Sequence, residues 1–259
     1  MKVVILCGGK GTRLREETEF RPKPMVPIGN RPILWHIMKT YASHGHKEFI
    51  LCLGYKGDMI KDYFRNYPWH TCDTTLTLSR TPAVKFHNSH GEEDWSVTLA
   101  DTGENSMTAY RIRLIRKYIG ADENFLLTYG DGVGAIDIPG VVRHHEASGK
   151  VCTLTAVHPP GRFGELNLTA TGVQSFNEKP QTEGGFINGG YMVCNQRVFD
   201  FLPDDPGIML EQSPMQRMAA EGVLGAYSHT GFWQPMDTFQ EFQLLNRLWD
   251  AGQAPWKIW

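Results

Sequence analysis

Short apolar runs alternate along the chain with segments of helical periodicity. Four of these runs have the length and composition of buried strands, namely VVIL (3–6), FILCL (49–53), FLLTY (125–129) and VCTLTAV (151–157). Between the first two runs, Pro32 opens a segment whose apolar side chains recur every three or four residues, and Gly45 follows its end. This pattern indicates an amphipathic helix with proline at its start and glycine beyond its end.

Two more helices complete the alternation. Ile112, Ile115 and Ile119 share one face of a helix that precedes the third strand, and residues 239–249 form the last helix. Strands that alternate with helices predict an α/β fold with a mostly parallel sheet covered on both faces.

The remaining strand-like sequence lies in residues 66–100 and 151–194. We expect these segments to form small β additions to the central sheet. No internal repeat, low-complexity linker or change of composition divides the chain. The sequence therefore predicts a single domain over residues 1–259.

Composition excludes several classes of function. Hydrophobic residues make up 41% of the chain, enough for a substantial core, and the net charge of -2 provides no basic field for a nucleic acid. No apolar run approaches the roughly 20 residues of a membrane span, and the first residues show no signal-peptide pattern. The five cysteines form no C-x-x-C pair, which favours a reduced, cytoplasmic protein without structural zinc.

A glycine-rich segment, LCGGKGTRL (6–14), follows the first predicted strand directly. Glycines at this density mark a tight turn or a close approach of the backbone to a ligand. The dinucleotide-binding fingerprint would need a third glycine where Leu14 stands, and the Gly-Lys-Ser/Thr end of a Walker A loop is absent. Taken alone, the segment favours an ordinary turn at the end of a strand.

Charged residues near strand ends favour a phosphate site instead. Ligands of such a sheet bind beyond the carboxyl ends of its strands, and Asp131, between two glycines, follows the third strand. Asp131 and Asp237 offer two carboxylates for Mg²⁺, which binds one or two carboxylates together with substrate phosphates. Arg13, Lys23 and Lys179 supply the cations that phosphoryl chemistry needs. Each aspartate taken singly is also a common turn former, and a single lysine is often only solvated.

The order of the motifs resembles that of the sugar-1-phosphate nucleotidyltransferases, and the resemblance covers the whole chain. The motifs that carry it are GGKGTRL (8–14), RPKPMVPIGNRPILWHIM (21–38), TYGDG (128–132), FNEKP (176–180) and INGGY (187–191). Three further stretches narrow the resemblance to members that use CTP and glucose 1-phosphate, namely PPGRFGEL (159–166), GFWQPMDT (231–238) and APWK (254–257).

This resemblance implies a Rossmann-like α/β fold and an in-line displacement that depends on Mg²⁺. The sugar phosphate would attack the α-phosphorus of CTP, and pyrophosphate would leave. Arg13, Lys23 and Lys179 would be catalytic, and Asp131 and Asp237 would hold the metal. The nucleotide contacts of the family fall on Leu6, Gly8, Gly9, Gly11, Thr12, Arg13, Lys23, Ser106, Arg111 and Gly130, and its sugar-phosphate contacts fall on Glu178, Lys179, Asn188 and Gly189.

Two residues near the expected base pocket depart from the family pattern. Cys7 stands where the family usually has alanine, and Tyr110 stands where a small residue is expected. Tyr110 either shapes the base pocket or packs as a core aromatic on its helix. The resemblance also implies a homo-oligomer, a trimer or a hexamer, with contacts made by strands of residues 66–100. It implies no nucleic-acid or membrane partner.

Other functions stay open at this point. The chain could run the same chemistry with another base or another sugar 1-phosphate, or it could be a non-catalytic nucleotide-sugar sensor. The joint presence of Arg13, Lys23, Asp131, Lys179 and Asp237 argues against the sensor, because sensing needs neither a metal nor a stabiliser of the leaving group. A glycosyltransferase often carries Asp-x-Asp for its metal, and that motif is absent from the sequence.

Overall fold

The structure is a computed structural model, and it describes residues 1–88, 91–92, 94–159, 165–169, 172–177 and 185–259. The strands of the described chain are β1 (Val3–Leu6), β2 (Pro27–Ile28), β3 (Arg31–Pro32), β4 (Glu48–Leu53), β5 (Asp73–Thr77), β6 (Ala83–His87), β7 (Ser96–Asp101), β8 (Asn124–Tyr129), β9 (Gly132–Gly134), β10 (Cys152–Val157), β11 (Glu165–Thr169), β12 (Gly172–Asn177), β13 (Ile187–Asn188), β14 (Met192–Asn195), β15 (Leu224–His229) and β16 (Trp233–Pro235). The helices are α1 (Arg15–Thr18), α2 (Ile33–Ser43), α3 (Gly57–Arg65), α4 (Tyr67–Thr71), α5 (Thr108–Leu114), α6 (Arg116–Ile119), α7 (Ile138–Ser148), α8 (Ser213–Ala220) and α9 (Phe239–Asp250), with 3-10 turns at Lys23–Met25 and Gln196–Phe201.

Eight strands form the central sheet. β8, β1, β4 and β7 lie side by side and run parallel. β14 pairs with β8 in the opposite direction, and β10 pairs antiparallel with β14 and β13 and parallel with β15. The sheet is therefore mixed and mostly parallel, which confirms the predicted α/β fold.

Apolar side chains cover both faces of this sheet. In β1, Val3 and Ile5 enter one hydrophobic cluster, and Val4 and Leu6 enter the other. Successive side chains of a strand point to opposite faces, so a strand that is buried on both faces must be apolar throughout. Helices α2, α7 and α9 cover the first face, and α5, α6 and α8 cover the second.

One sequence prediction, a single helix through the three isoleucines, differs from the structure. The helix with three isoleucines is divided into α5 and α6, because Ile115 at the junction has ψ near 1° and its N–H bonds to Ile112. Part of the predicted β additions joins the central sheet, where β7 pairs with β4 and β14 pairs with β8. The hairpin of β5 and β6 and the pair of β11 and β12 form separate two-stranded sheets. Within the described ranges, no helix is long and apolar enough to span a membrane.

The C-terminal residues pack against α2 around a buried histidine. His36 is 0% exposed, and its ring contacts those of Trp35, Trp249 and Trp256 edge-on. Trp256 donates its indole N–H to His36 Nδ1 at 3.4 Å, so Nε2 carries the proton and donates to the carbonyl oxygen of Ile28 at 3.0 Å. Burial lowers the pKa of His36 to about 4. The ring is therefore neutral in the folded protein at pH 7.

We expect the unmodified protein to lose more stability than a His36→Gln variant when the pH falls from 7 to 5. An unfolded histidine binds its proton near pH 6.5, whereas folded His36 resists protonation down to about pH 4. Acid therefore favours the unfolded chain over this interval, by about 2 kcal/mol at pH 5. Urea unfolding of both proteins at both pH values measures the difference, and parallel pH profiles would contradict it.

Candidate active site

A cavity of about 480 Å³ lies at the carboxyl ends of β1 and β8. These strands are parallel neighbours with Leu6 opposite Tyr129, so the loops that follow them start side by side. The cavity is lined by Leu6, Cys7, Gly8, Gly9, Lys10, Gly11, Thr12, Arg13, Lys23, Pro24, Glu104, Asn105, Ser106, Met107, Thr108, Arg111, Tyr129, Gly130, Asp131 and Met209.

The three glycines of the first loop meet different steric demands. A Cβ at residue 8 would lie 2.2 Å from the guanidinium carbon of Arg111. Gly11 has a φ of +61°, which favours glycine, and a Cβ there would lie 2.8 Å from Thr18 Cγ2. An added Cβ at residue 9 meets no described atom within 4 Å. Gly9 therefore leaves open space at the cavity, whereas Gly8 and Gly11 are required by the fold of the loop.

Arg111 builds the wall of the cavity. Its side chain is almost completely buried, and burial lowers its pKa. A Cβ at Gly54 would lie 2.5 Å from Arg111 Nη1, so the guanidinium fits closely between two glycines. This group joins the glycine loop to β4 and to residues 102–104, because it donates at 2.7–3.2 Å to the carbonyl oxygens of Gly8, Leu53, Gly103 and Glu104 and to the hydroxyl of Thr102.

A short antiparallel pair of strands brings two carboxylates together at the cavity. β9 pairs with β16, with Gly132 opposite Pro235, and the Met236 N–H donates to the carbonyl oxygen of Asp131 at 2.8 Å. Asp131 immediately precedes β9, and Asp237 is the second residue after β16. The pairing therefore places the two aspartates side by side, although they are far apart in the sequence.

Lys23 lies between these carboxylates. Its Nζ donates to Asp131 Oδ2 at 2.7 Å and to Asp237 Oδ1 at 2.5 Å. Arg13 Nη1 contacts the other oxygen of Asp237, Oδ2, at 2.8 Å. Burial disfavours the Lys23 ammonium, but the two carboxylates outweigh that penalty and raise the pKa of Lys23. The lysine is therefore charged at neutral pH, and two positive and two negative groups balance in the cluster.

Segment 188–190 lies behind Tyr129 at the edge of the cavity. Asn188 Nδ2 donates to the Tyr129 hydroxyl oxygen at 3.1 Å, and Asn188 Oδ1 accepts from the Gly190 N–H at 2.9 Å. Trp233, from the strand that precedes Asp237, donates its indole N–H to the carbonyl oxygen of Gly189 at 2.8 Å. The side chain of Asn188 and the backbone at Gly189 are thus fixed by residues next to the carboxylate pair.

Comparison with known proteins decides the family. Residues 2–234 match the sequence profile of the nucleotidyl transferases. The chain belongs to the nucleotidyl transferase family. It is 51% identical to the glucose-1-phosphate cytidylyltransferase of Salmonella typhimurium (strain LT2) and 44% identical to a Bacillus subtilis (strain 168) protein named "Probable glucose-1-phosphate cytidylyltransferase", in each case over 100% of both chains. These matches confirm the family resemblance read from the motifs.

A solved structure supports the fold of this nucleotidyl transferase. The crystal structure of HddC from Yersinia pseudotuberculosis superposes with a TM-score of 0.68 at 22% identity, covering 96% of this chain and 99% of that chain. At this level of identity the likeness concerns the fold. It agrees with the mixed, mostly parallel sheet described above.

Nucleotidyl transferases of this family generally use a divalent metal, and the aspartate pair fits one. Asp131 Oδ2 and Asp237 Oδ1 both accept from the one ammonium of Lys23, so the two carboxylates lie side by side, and each has a second oxygen besides the one that Lys23 occupies. Carboxylate oxygens are the ligands that hard divalent cations prefer. Over the described part of the chain, no group of three His, Cys, Asp or Glu side chains could hold a metal. Phosphates and water would supply the remaining ligands.

The structure brings most of the predicted site residues of this nucleotidyl transferase to one place. Glu178 and Lys179 lie outside the described residues. Asp237 joins the cavity through Lys23 and Arg13, and Asn188 and Gly189 stand behind Tyr129. The remaining eleven line the cavity itself, namely Leu6, Gly8, Gly9, Gly11, Thr12, Arg13, Lys23, Ser106, Arg111, Gly130 and Asp131.

The two departures from the family pattern occupy different places. Cys7 lines the cavity, and burial raises the pKa of its thiol, so it offers an uncharged wall. Tyr110 is half-buried on α5 and is absent from both the described cavity lining and the described apolar clusters. Tyr129, Thr108 and Met209 also line the cavity, although they are not among the predicted site residues. Tyr129 belongs to the motif TYGDG (128–132), whereas no local pattern marks Met209.

We expect Gly8→Ala to destabilise this nucleotidyl transferase and Gly9→Ala to leave its stability within about 0.5 kcal/mol. The added methyl group at residue 8 collides with Arg111, and over-packing of this kind costs about 1–3 kcal/mol. Gly9→Ala is the matched control, because it adds the same atom one residue away in open space. Urea unfolding without nucleotide measures both variants. Equal free energies of unfolding for Gly8→Ala and Gly9→Ala would contradict the close contact between Gly8 and Arg111.

Proposed function

We propose that this chain transfers the cytidylyl group of CTP to glucose 1-phosphate, giving CDP-glucose and pyrophosphate. The observation that carries the proposal is a buried ammonium, that of Lys23, joined to two carboxylates beside a glycine loop. Nucleotidyl transfer needs cations, metal ligands and backbone N–H groups that can approach the phosphates, all in one site. The full-length relative from Salmonella typhimurium supports CTP and glucose 1-phosphate as the substrate pair.

The proposed reaction is an in-line displacement at the α-phosphorus of CTP. A phosphate oxygen of glucose 1-phosphate forms the new bond to this phosphorus, the bond to the α,β-bridging oxygen breaks, and its electron pair leaves with pyrophosphate. No side chain forms a covalent intermediate, because the attacking oxygen belongs to the substrate. Catalysis then consists of positioning and of stabilising the charge that develops.

Lys23 and Arg13 supply positive charge for the triphosphate and for the departing pyrophosphate. The Lys23 ammonium is held by two carboxylates before any substrate binds, so little reorganisation is needed during the reaction. The Arg13 side chain is 70% exposed at the mouth of the cavity, which gives it freedom to follow the outer phosphates. Lys23 is therefore the buried cation of this pair, and Arg13 is the exposed one.

We assign the divalent metal as Mg²⁺, held by Asp131 and Asp237. Mg²⁺ commonly binds one or two carboxylates together with substrate phosphates and keeps several waters. This preference agrees with two adjacent carboxylates that each have a second oxygen besides the one paired with Lys23. When bound, Mg²⁺ neutralises phosphate oxygens and acts as a Lewis acid on the phosphoryl group.

The two substrates occupy opposite sides of the aspartate pair in this proposal. For the nucleotide we propose contacts with the glycine loop and the wall of residues 104–111, with Arg111 shaping that wall through its hydrogen bonds to main-chain carbonyls. For the sugar phosphate we propose contacts with Asn188, Gly189, Glu178 and Lys179. The position of Asn188 behind Tyr129 supports this side for the sugar.

We also propose a homo-oligomer, a trimer or a hexamer, in the cytoplasm. The β5–β6 hairpin supports assembly because its apolar side chains are exposed, and an isolated two-stranded hairpin is at best marginally stable in water. The five cysteines are free thiols, which supports a reducing compartment. The packing of α9 and the C-terminal tryptophans on α2 supports a single nucleotidyltransferase domain over residues 1–259.

Pyrophosphate release from CTP, UTP, dTTP, ATP and GTP with glucose 1-phosphate tests the proposed function. We expect the highest kcat/KM with CTP, loss of activity on chelation, and recovery when Mg²⁺ is restored in excess. If another nucleotide gave a higher kcat/KM, that nucleotide would be the proposed substrate in place of CTP. Absence of release with all five would contradict it and would leave a sensor or another sugar 1-phosphate as the explanation.

The two lysines should affect different kinetic constants. Lys23→Ala should lower kcat by roughly 10²–10³, because its interaction with the leaving pyrophosphate strengthens in the transition state. Lys179→Ala should chiefly raise the KM for glucose 1-phosphate, since that phosphate is charged before the reaction begins. Steady-state kinetics with each substrate varied in turn measure both effects.

A lysine away from the cavity provides the control for these variants. Lys150 donates to the carbonyl oxygen of Gly222 at the start of the segment leading to β15, and Lys150→Ala should change neither constant. The assigned roles would be wrong if Lys179→Ala raised only the KM for CTP. They would also be wrong if Lys23→Ala raised only the KM for glucose 1-phosphate.

A further inference from the structure

A chain of hydrogen bonds behind the cavity converges on one carboxylate, that of Glu211. Its Oε1 accepts a short hydrogen bond from the Tyr129 hydroxyl, and its Oε2 accepts from the Thr108 hydroxyl at 2.9 Å. The Tyr129 oxygen in turn accepts from Asn188 Nδ2 at 3.1 Å, and the Thr108 oxygen accepts from the Leu210 N–H at 2.7 Å. Two branches, one from each side of the cavity, therefore meet on Glu211.

The negative charge of Glu211 sets the donor and the acceptor of the hydrogen bonds that lead to it. An ionised carboxylate only accepts hydrogen bonds, so the hydroxyl protons of Tyr129 and Thr108 both turn toward Glu211. The Tyr129 oxygen then presents lone pairs to Asn188, which must offer its NH₂ group. The Gly190 N–H donates to Asn188 Oδ1, so the amide oxygen must lie on the side of Gly190. The orientation of the Asn188 amide is thus fixed from both ends.

The two branches belong to different walls of the cavity. Thr108 begins α5 and lines the wall on which the nucleotide is proposed to lie, whereas Tyr129 ends β8 directly before Gly130 and Asp131. With the nucleotide on the glycine loop and residues 104–108, the sugar phosphate has to reach Asp131 from the side of Tyr129 and Asn188. Glu211 accepts from both walls at once.

We propose that Glu211 is a positioning residue for the sugar substrate. Glu211 orients the Asn188 amide toward the sugar through the Tyr129 hydroxyl. Its second hydrogen bond, from Thr108, connects this arrangement to residues 104–108, on which the nucleotide is proposed to lie. This inference rests on the proposed function. A site whose polar groups are held in one orientation discriminates strongly against a sugar that offers the wrong hydroxyl pattern. Sugar selectivity should therefore depend on a residue that does not itself touch the sugar.

The test compares Glu211→Gln and Tyr129→Phe with the unmodified protein. Glutamine keeps the shape of Glu211 but can accept from only one of the two hydroxyls through its single oxygen. We expect both variants to raise the KM for glucose 1-phosphate about tenfold, the lower end for loss of a hydrogen bond to a charged group. Their kcat and their KM for CTP should stay within about threefold. The preference for glucose 1-phosphate over the 1-phosphates of galactose and mannose should fall in the same proportion.

A double variant and a control separate positioning from a general loss of structure. If Glu211 acts through Tyr129, the Glu211→Gln/Tyr129→Phe protein should have the same KM for glucose 1-phosphate as Tyr129→Phe alone. Glu123→Gln is the control, because Glu123 accepts from Asn195 at the opposite end of β8. Equal increases in both KM values together with unchanged sugar preference would overturn the proposal, and so would independent, multiplying effects in the double variant.

A binding measurement keeps the inference distinct from the proposed function. Titration calorimetry of glucose 1-phosphate, in the presence of CTP with a methylene group in place of its α,β-bridging oxygen, needs no turnover. Weaker binding by about tenfold in Glu211→Gln would support the positioning role even if the unmodified protein released no pyrophosphate. Equal binding to both proteins would overturn the role of Glu211 even if the unmodified protein were fully active.

Discussion

The ion cluster around Lys23 is the interaction on which the site depends. A buried ammonium is unfavourable unless it is paired, and Lys23 meets its two partners only when β9 and β16 are correctly aligned. The same cluster attaches Arg13, and with it the glycine loop, to Asp237. Formation of the ion pairs therefore fixes four separate parts of the chain relative to one another. The charges that phosphate chemistry needs are in place because the fold itself requires them.

A second layer of residues holds the backbone around this cluster. Tyr191 has a positive φ of 47°, which is uncommon for a residue with a side chain, and its hydroxyl donates to the carbonyl oxygen of Gly132 at 3.1 Å. Strain of this kind persists only where the surroundings over-determine the conformation. Here the neighbours are the strand after Asp131 and the segment of Asn188. Hydrogen bonds thus hold the backbone on both sides of the carboxylate pair.

The central strands could be predicted from the sequence because they are buried on both faces and read as continuous apolar runs. The glycine loop and Asp131 were predictable for a related reason, since they follow adjacent parallel strands directly. The break at Ile115 was not, because three isoleucines keep their spacing whether one helix or two short ones carry them. The contact of Tyr129 with Glu211 was also out of reach, as no periodicity relates residues that lie 82 positions apart. Hydrophobic patterns in a sequence indicate which residues are buried, but they do not indicate which hydroxyl group donates to which carboxylate.

The close fit of Arg111 against Gly8 and Gly54 restricts how this sequence can change over evolutionary time. A side chain at either glycine collides with the guanidinium, and one at residue 54 would also lie 2.8 Å from the carbonyl oxygen of Gly8. A shorter residue at 111 would therefore make room at residue 8 but not at residue 54. A shorter residue at 111 would in turn remove the guanidinium hydrogen bonds to Gly8 and Leu53, leaving the carbonyl oxygen of Gly8 with the Tyr55 N–H and that of Leu53 with Thr102. Arg111 therefore limits substitution at Gly8, and both Arg111 and the Gly8 carbonyl oxygen limit it at Gly54. Three residues on three different segments of the chain thus restrict one another's replacement.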